Sequence, residues 1–273
     1  MLAETYRRAL ACEKAGDLDA AAAAYDELLR LDPSDRAGVA VRLASIGRGA
    51  TPDKAPPAYV AKLFDQHAAT FDDILVEGLG YAVPMMAREL LQRTCPGPFA
   101  RMLDLGCGTG LAGSALRDMA GHVTGVDLSE GMLEIADDRG VYDDLYVGDV
   151  AGFLAADDPD RWDLIVATDV LPYLGDLDPL FSGVARCLEQ EGVFVFSSES
   201  LPEEVMQSRP YMVGAKPRFA HAEAHVRDRL GEAGMTCVAA EPITVRHEEG
   251  APVPGQLYLG QLYPGQPDRG ATR

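Results

Sequence analysis

Leu103-Asp104-Leu105-Gly106-Cys107-Gly108-Thr109-Gly110 is an apolar run that breaks into three alternating glycines and then opens a helical pattern. A strand that turns sharply into a helix needs glycine there, because the chain must bend and let a ligand approach the backbone with no Cβ in the way. A dinucleotide site would space the glycines G-x-G-x-x-G, with a pyrophosphate on the helix N-terminus. Here the third glycine comes one residue early. Asp104, two residues before the first glycine, would repel a pyrophosphate and attract a cation. Both features disfavour a nicotinamide-dependent oxidoreductase.

Outward from this loop, short apolar runs alternate with helical patterns. Strands are expected at 101–105, 123–127, 144–147, 164–168 and 193–197, with helices at 112–119, 131–137, 150–155 and 177–188 between them. That alternation predicts an α/β fold, a mostly parallel sheet with helices on both faces. The ending differs. Residues 236–247 and 256–262 read as two strands joined by a Gly/Pro loop with no helix between, an antiparallel hairpin at the sheet edge. In an open α/β sheet, ligands bind outside the carboxyl ends of the strands. Asp104, Asp127 and Asp149 all sit near such ends and should converge on one crevice, where Asp127 could accept both hydroxyls of a ribose. A nucleoside that carries positive charge and no phosphate suits three acids, and S-adenosylmethionine (SAM) has that character.

With these residues in place, 59–262 resembles the class I SAM-dependent methyltransferases, and the whole chain looks like a bacterial group of them that carries an N-terminal tetratricopeptide-like segment. The resemblance implies a Rossmann-like sheet of seven strands, the last antiparallel. It implies that Asp104, Gly106, Cys107, Gly108 and Gly110 wrap the methionine part of SAM. Asp127 would hold the ribose, Leu128 and Met132 would flank the adenine, and Asp149 with Val150 would meet the adenine amino group. Thr168 and Asp169 would border the methyl group and the acceptor. Tyr59, Phe64 and Phe71 resemble the lid of these enzymes, or else are helix-packing core. Cys107 reads as a small filler of the loop, with no basic neighbour to activate it as a nucleophile.

The expected function is methyl transfer from SAM to a small-molecule acceptor by in-line displacement, which asks the protein to align the nucleophile, exclude water and remove a proton. A protein methyltransferase that holds its substrate with the helical arm, and a SAM-binding interaction protein without catalysis, are the alternatives. On the acceptor side the expected catalytic groups are Asp169 and His221. His221 and His225 lie four apart in a segment read as the start of a helix. They lack the H-E-x-x-H order and a third ligand, so no metal is expected. The segment 207–219 should fold over the crevice, and its Arg209, Lys216 and Arg218 form a basic island that would suit an acceptor carrying negative charge.

The rest of the chain bounds these expectations. The 273 residues carry 43 Asp plus Glu against 24 Lys plus Arg, a net charge of -19, so nucleic acid would meet repulsion. At 47% hydrophobic residues and a mean hydropathy of -0.05 the composition is that of a globular protein. No window approaches the roughly 18 apolar residues of a membrane span. Five widely spaced cysteines read as reduced thiols of a cytoplasmic protein.

Residues 1–47 read as a helical tetratricopeptide-like segment: Ala9, Gly16, Ala21, Tyr25 and Pro33 match about half of one repeat, whose period is about 34 residues. A single repeat cannot bury its own apolar face, so it should pack on the neighbouring domain, a partner or a second copy. A linker over 48–57, a methyltransferase domain over 58–264 and a flexible tail over 265–273 complete the expected organisation.

Overall fold

A computed structural model describes residues 2–157 and 160–263, so the tail expected at 265–273 lies outside the described residues. The chain enters as three helices: α1 (Leu2–Lys14), α2 (Leu18–Leu31) and α3 (Val39–Ser45). Asp17 caps α2 by accepting the Ala20 N–H, which satisfies one of the free donors of its first turn. Small Ala9, Ala21 and Ala24 let the helices approach closely around Tyr25. Helix α3 turns its Val41 away from that cluster, onto Ala55, Val60, Val213 and Phe219 of the larger body.

The larger body begins with α4 (Pro57–Asp65), a 3-10 turn (Ala68–Thr70), a π-helical turn (Asp73–Gly78) and α5 (Val83–Thr94). It continues as β1 (Phe99–Leu105), α6 (Leu111–Leu116), β2 (Ala120–Asp127), α7 (Glu130–Asp138), β3 (Asp144–Val147), α8 (Val150–Leu154), β4 (Trp162–Ala167), α9 (Asp178–Cys187) and β5 (Leu188–Glu199). After α10 (Glu203–Met206) come a short hairpin, β6 (Tyr211–Val213) with β7 (Phe219–His221), then α11 (Glu223–Glu232), β8 (Met235–Glu248) and β9 (Ala251–Leu262).

The main sheet has seven strands in the order β3-β2-β1-β4-β5-β9-β8. Strands β1 to β5 pair in parallel, and β9 runs antiparallel to both β5 and β8. The expected mostly parallel sheet with a C-terminal antiparallel hairpin is thus the observed one. Side chains of a strand alternate between faces, and both faces here are buried. Leu103, Leu105, Ile165, Phe194 and Phe196 enter one apolar core, while Met102, Leu164, Val166, Val193 and Val195 enter the other. Phe194, Phe196 and Tyr258 stack in series, with ring centroids 4.4 and 4.8 Å apart. Because β1, β2 and β4 sit at the centre and run in parallel, their carboxyl ends open on the same side. The crevice forms there.

The stretch expected to be a linker is pinned down. The Asp53 carbonyl accepts the N–H groups of Gly175 at 2.7 Å and Asp176 at 2.8 Å, and the Ala55 N–H donates to the Tyr173 carbonyl at 2.8 Å. Lys54 forms a bridge to Leu174. Residues 53–55 are therefore a strap across the loop that follows β4. Gly175 makes the close approach possible: a Cβ there would lie 2.6 Å from the Tyr211 ring and 2.8 Å from both the Phe219 ring and the Pro52 carbonyl oxygen. Gly175→Ala is expected to lower unfolding stability by about 1–3 kcal/mol through overpacking, read as a lower urea midpoint. An unchanged midpoint would show that the strap is held loosely.

Candidate functional site

The three loop glycines, Gly106, Gly108 and Gly110, all adopt left-handed backbone, with φ of 66°, 54° and 92°, a region that costs other residues. At Gly106 the need is double, because a Cβ would lie 2.6 Å from Val170 Cγ2. The turn is tied to β2: the Asp127 carboxylate accepts the Gly108 N–H at 2.9 Å and the Ser129 N–H at 2.8 Å. Burial pushes the Asp127 carboxyl up in pKa, and these N–H bonds oppose the shift.

Gly106, Cys107, Gly108, Asp127, Leu128, Asp149, Val150, Thr168 and Asp169 are brought together on a single crevice. Its opposite wall is aromatic and aliphatic: Phe64, Phe71, Leu75, Tyr81 and Tyr173. Phe64 meets Phe71 and Tyr173 edge to face, at centroid distances of 5.8 and 5.3 Å, so of the aromatics expected to form a lid, Phe64 and Phe71 do both jobs, lining the crevice and packing on each other. Tyr59 lies instead over Gly38, whose Cβ would strike its ring at 2.7 Å.

Three residues expected around the cofactor do not line the crevice. Gly110 caps α6, Met132 is wholly buried in α7, and Asp104 lies under the loop with no exposure. Asp104 Oδ2 accepts the Tyr142 hydroxyl at 2.7 Å, while Oδ1 has no partner in the structure. Burial raises its pKa to about 7. The unfolded chain would hold this carboxyl nearer 4, so the folded state binds the extra proton between about pH 4 and 7, and stability falls as pH rises through that window. Asp104→Asn is accordingly expected to raise unfolding stability at pH 8 by up to about 4 kcal/mol and to change it little at pH 4. Equal effects at both pH values in urea titrations would refute the assignment.

His221 is placed away from its expected position. It lies on β7 rather than on a helix, paired in register with Tyr211, while His225 lies on α11. The two therefore do not share a helix face. His221 is almost wholly buried and does not line the crevice; its Nε2 lies 3.3 Å from the Gly175 carbonyl. Burial lowers its pKa to about 4, so it is a neutral packing and hydrogen-bonding residue near pH 7. Among the described residues no group of His, Cys, Asp and Glu is arranged to hold a metal ion.

Two of the three cations of the expected basic island are paired with carboxylates, and the third, Arg209, does not line the crevice. Arg218 pairs with Glu199 at 2.8 Å and Glu248 at 2.6 Å, Lys216 pairs with exposed Glu249, and Arg209 reaches Gln207. No free cationic patch faces the crevice from this segment, which removes the basis for an anionic acceptor.

Three features escaped the sequence. The first is a pair of staples on the lid: Asp65 Oδ1 accepts the Ser129 hydroxyl and the Gly131 N–H, and Asp72 accepts the Thr109 hydroxyl at 2.6 Å and an Arg139 N–H. Each carboxylate locks the lid to one of the two loops that floor the crevice. Their spacing of seven beside the aromatics was a signal that could have been read. The second is Lys54 of the strap, which lines the crevice with its Nζ 3.7 Å from Asp149. Asp149 also caps α8 by accepting the Gly152 N–H.

The third is a buried ion cluster behind Asp169. Arg246, 3% exposed, reaches Asp169 Oδ2 at 3.1 Å, Glu248 at 2.8 Å and Glu199. Asp169 itself has φ of 62°, rare for a residue with a side chain, and its N–H donates to Ser197 Oγ at 2.9 Å. Burial raises its pKa to about 6 against the opposing charge of Arg246.

Comparison with known proteins agrees with this geometry. Residues 103–196 match the model of the Methyltransferase domain family. Over 175 residues the chain is 26% identical to a ubiquinone biosynthesis O-methyltransferase of Maricaulis maris, covering 59% of this chain and 66% of that protein. A protein of the same name from Ralstonia nicotianae is 27% identical over 180 residues, covering 63% and 75%. Among solved structures, the N-methyltransferase NodS of Bradyrhizobium japonicum, in complex with S-adenosyl-L-homocysteine, superposes with a TM-score of 0.59 over 76% of this chain and 99% of its own, at 17% identity. That last likeness is one of fold.

Proposed function

We propose that this chain is a class I SAM-dependent methyltransferase that moves the methyl group of SAM to a small-molecule acceptor in the crevice described above. The observation that carries the reading is the convergence of the glycine loop with Asp127, Asp149 and Asp169 under an aromatic roof. SAM supplies a methyl carbon already activated by its sulfonium. The residues present fit it: the left-handed glycines leave backbone open to its methionine part, and the Asp127 carboxylate on the crevice can accept ribose hydroxyls. Leu128 would face the adenine, and Asp149 with Val150 its amino edge.

On the acceptor side, Thr168 and Asp169 close the crevice. Asp169 would take a proton from the nucleophile, and a pKa of about 6 would keep it mostly ionised near neutrality while leaving it a competent base. The lid and strap exclude water and align the acceptor. His221 plays no catalytic part in this mechanism.

The roof formed by Phe64, Phe71 and Leu75, together with the strap, favours a small acceptor over a protein side chain. The N-terminal helices, similar to one tetratricopeptide unit, brace that roof through Val41 rather than hold a substrate. The five cysteines are all free, which fits a reducing compartment such as the cytoplasm. No helix among the described residues is long and apolar enough to cross a membrane. Incubation with methyl-labelled SAM and a panel of small hydroxyl and amine compounds tests the reading: label should pass to a small molecule with release of S-adenosyl-L-homocysteine (SAH). Label found on protein instead would contradict it.

A further inference from the structure

The charges around the acceptor end of the crevice do not balance. Two guanidiniums, Arg218 and Arg246, serve three carboxylates, Asp169, Glu199 and Glu248. Arg246 is divided among all three. Within this cluster Asp169 is the member that lines the crevice, with its side chain 24% exposed against 10% for Glu199 and 19% for Glu248. The other charged groups on the crevice are already answered, Asp127 by two backbone N–H groups and Asp149 by Lys54. Within the cluster one negative charge is therefore in excess, and Asp169 is its member on the crevice.

The surroundings of that charge specify what should meet it. A buried carboxylate that shares its one guanidinium with two others is only partly compensated, and a further cation or strong donor would stabilise it. Phe64, Phe71 and Tyr173 line the same crevice and pack edge to face on one another, a lining that accepts an apolar or aromatic body. The backbone reinforces the placement. Asp169 is held in a left-handed conformation by the Ser197 hydroxyl and by its neighbour Val170, which packs on Gly106. Strain of this kind persists where the surrounding structure enforces it, and it collects at sites that position a functional group.

We propose that the methyl acceptor is an amine on an apolar or aromatic body, its nitrogen docked on the Asp169 carboxylate. The proposal rests on the methyltransferase reading above and adds the substrate class. The ammonium N–H proton passes to Asp169, turning a charged pair into a neutral amine and a carboxylic acid, an exchange that low polarity favours. The freed lone pair forms the N–C bond as the S–C bond breaks with its electrons going to sulfur. Asp169 returns its proton to water when the product leaves.

Calorimetric titration of the SAH-saturated protein with 2-phenylethylamine, 2-phenylethanol and phenylacetate tests this without a variant. The amine is expected to bind at least about tenfold more tightly than the alcohol, a difference of about 1.4 kcal/mol, with phenylacetate weakest. Asp169→Asn should erase the preference of amine over alcohol. Binding of the alcohol as tightly as the amine, or no binding of the amine, would overturn the proposal. The other positive charge that could meet Asp169 is the sulfonium. If the ratio of SAM to SAH affinity collapses in Asp169→Asn while the three probes bind alike, the carboxylate serves the sulfonium and the proposal falls. Failure of SAH itself to bind would instead remove the methyltransferase reading, and this inference with it.

Discussion

Asp127→Ala should weaken SAM binding by about a hundredfold or more, about 2.7 kcal/mol. Two losses combine in this variant. The carboxylate offers lone pairs for two ribose hydroxyls, and hydrogen bonds to a charged group contribute about 1.5–3 kcal/mol each. It also braces the glycine turn through the Gly108 and Ser129 N–H groups, which Ala would leave without an acceptor. Asp127→Asn separates the two effects. It keeps an acceptor oxygen and the shape but removes the charge, so its affinity should fall between those of the wild type and the Ala variant. Calorimetry on the three proteins checks the order, and an Ala variant that binds SAM as the wild type does would contradict the role given to Asp127.

Arg246→Met should cost about 3–5 kcal/mol of unfolding stability near pH 8, the loss expected when one partner of a buried ion cluster is removed. Three carboxylates would then share Arg218 alone. The sign of the pH dependence follows from the proton balance. Without Arg246 the folded-state pKa of Asp169, already raised to about 6 in the intact protein, rises further above its unfolded value. The folded variant then binds more protons than the unfolded chain between about pH 4 and that raised pKa, so stability returns as pH falls. Urea unfolding at pH 8 and pH 5 should show a large deficit at the first and a smaller one at the second. Equal deficits would mean that Arg246 acts through packing alone.

What could be read from the chain follows from the range of each interaction. The turn 103–110 announces itself because glycine spacing and strand alternation are local. The acids at 127 and 149 could be placed because a strand end fixes where its last side chain opens. His221 was misplaced because β7 is three residues long, too short for a period-two pattern to show against the helical pattern that follows it in α11. The strap over 53–55 looked like a linker because Gly and Pro mark irregular backbone equally well when it is free and when it is hydrogen-bonded to residues more than 100 positions away. Arg246 and Asp169 lie 77 residues apart, and nothing in either neighbourhood points to the other. The same limit misled the reading of Arg218 as a free cation, since its partners Glu199 and Glu248 come from different strands.

Calorimetric titration of the wild-type protein with SAM and, separately, with SAH tests the SAM site most directly. Saturable binding of one molecule of either ligand per chain is expected, with affinity on the order of micromolar. Absence of binding to both would contradict it, because the loop, the acids and the aromatic roof would then surround a site for something else.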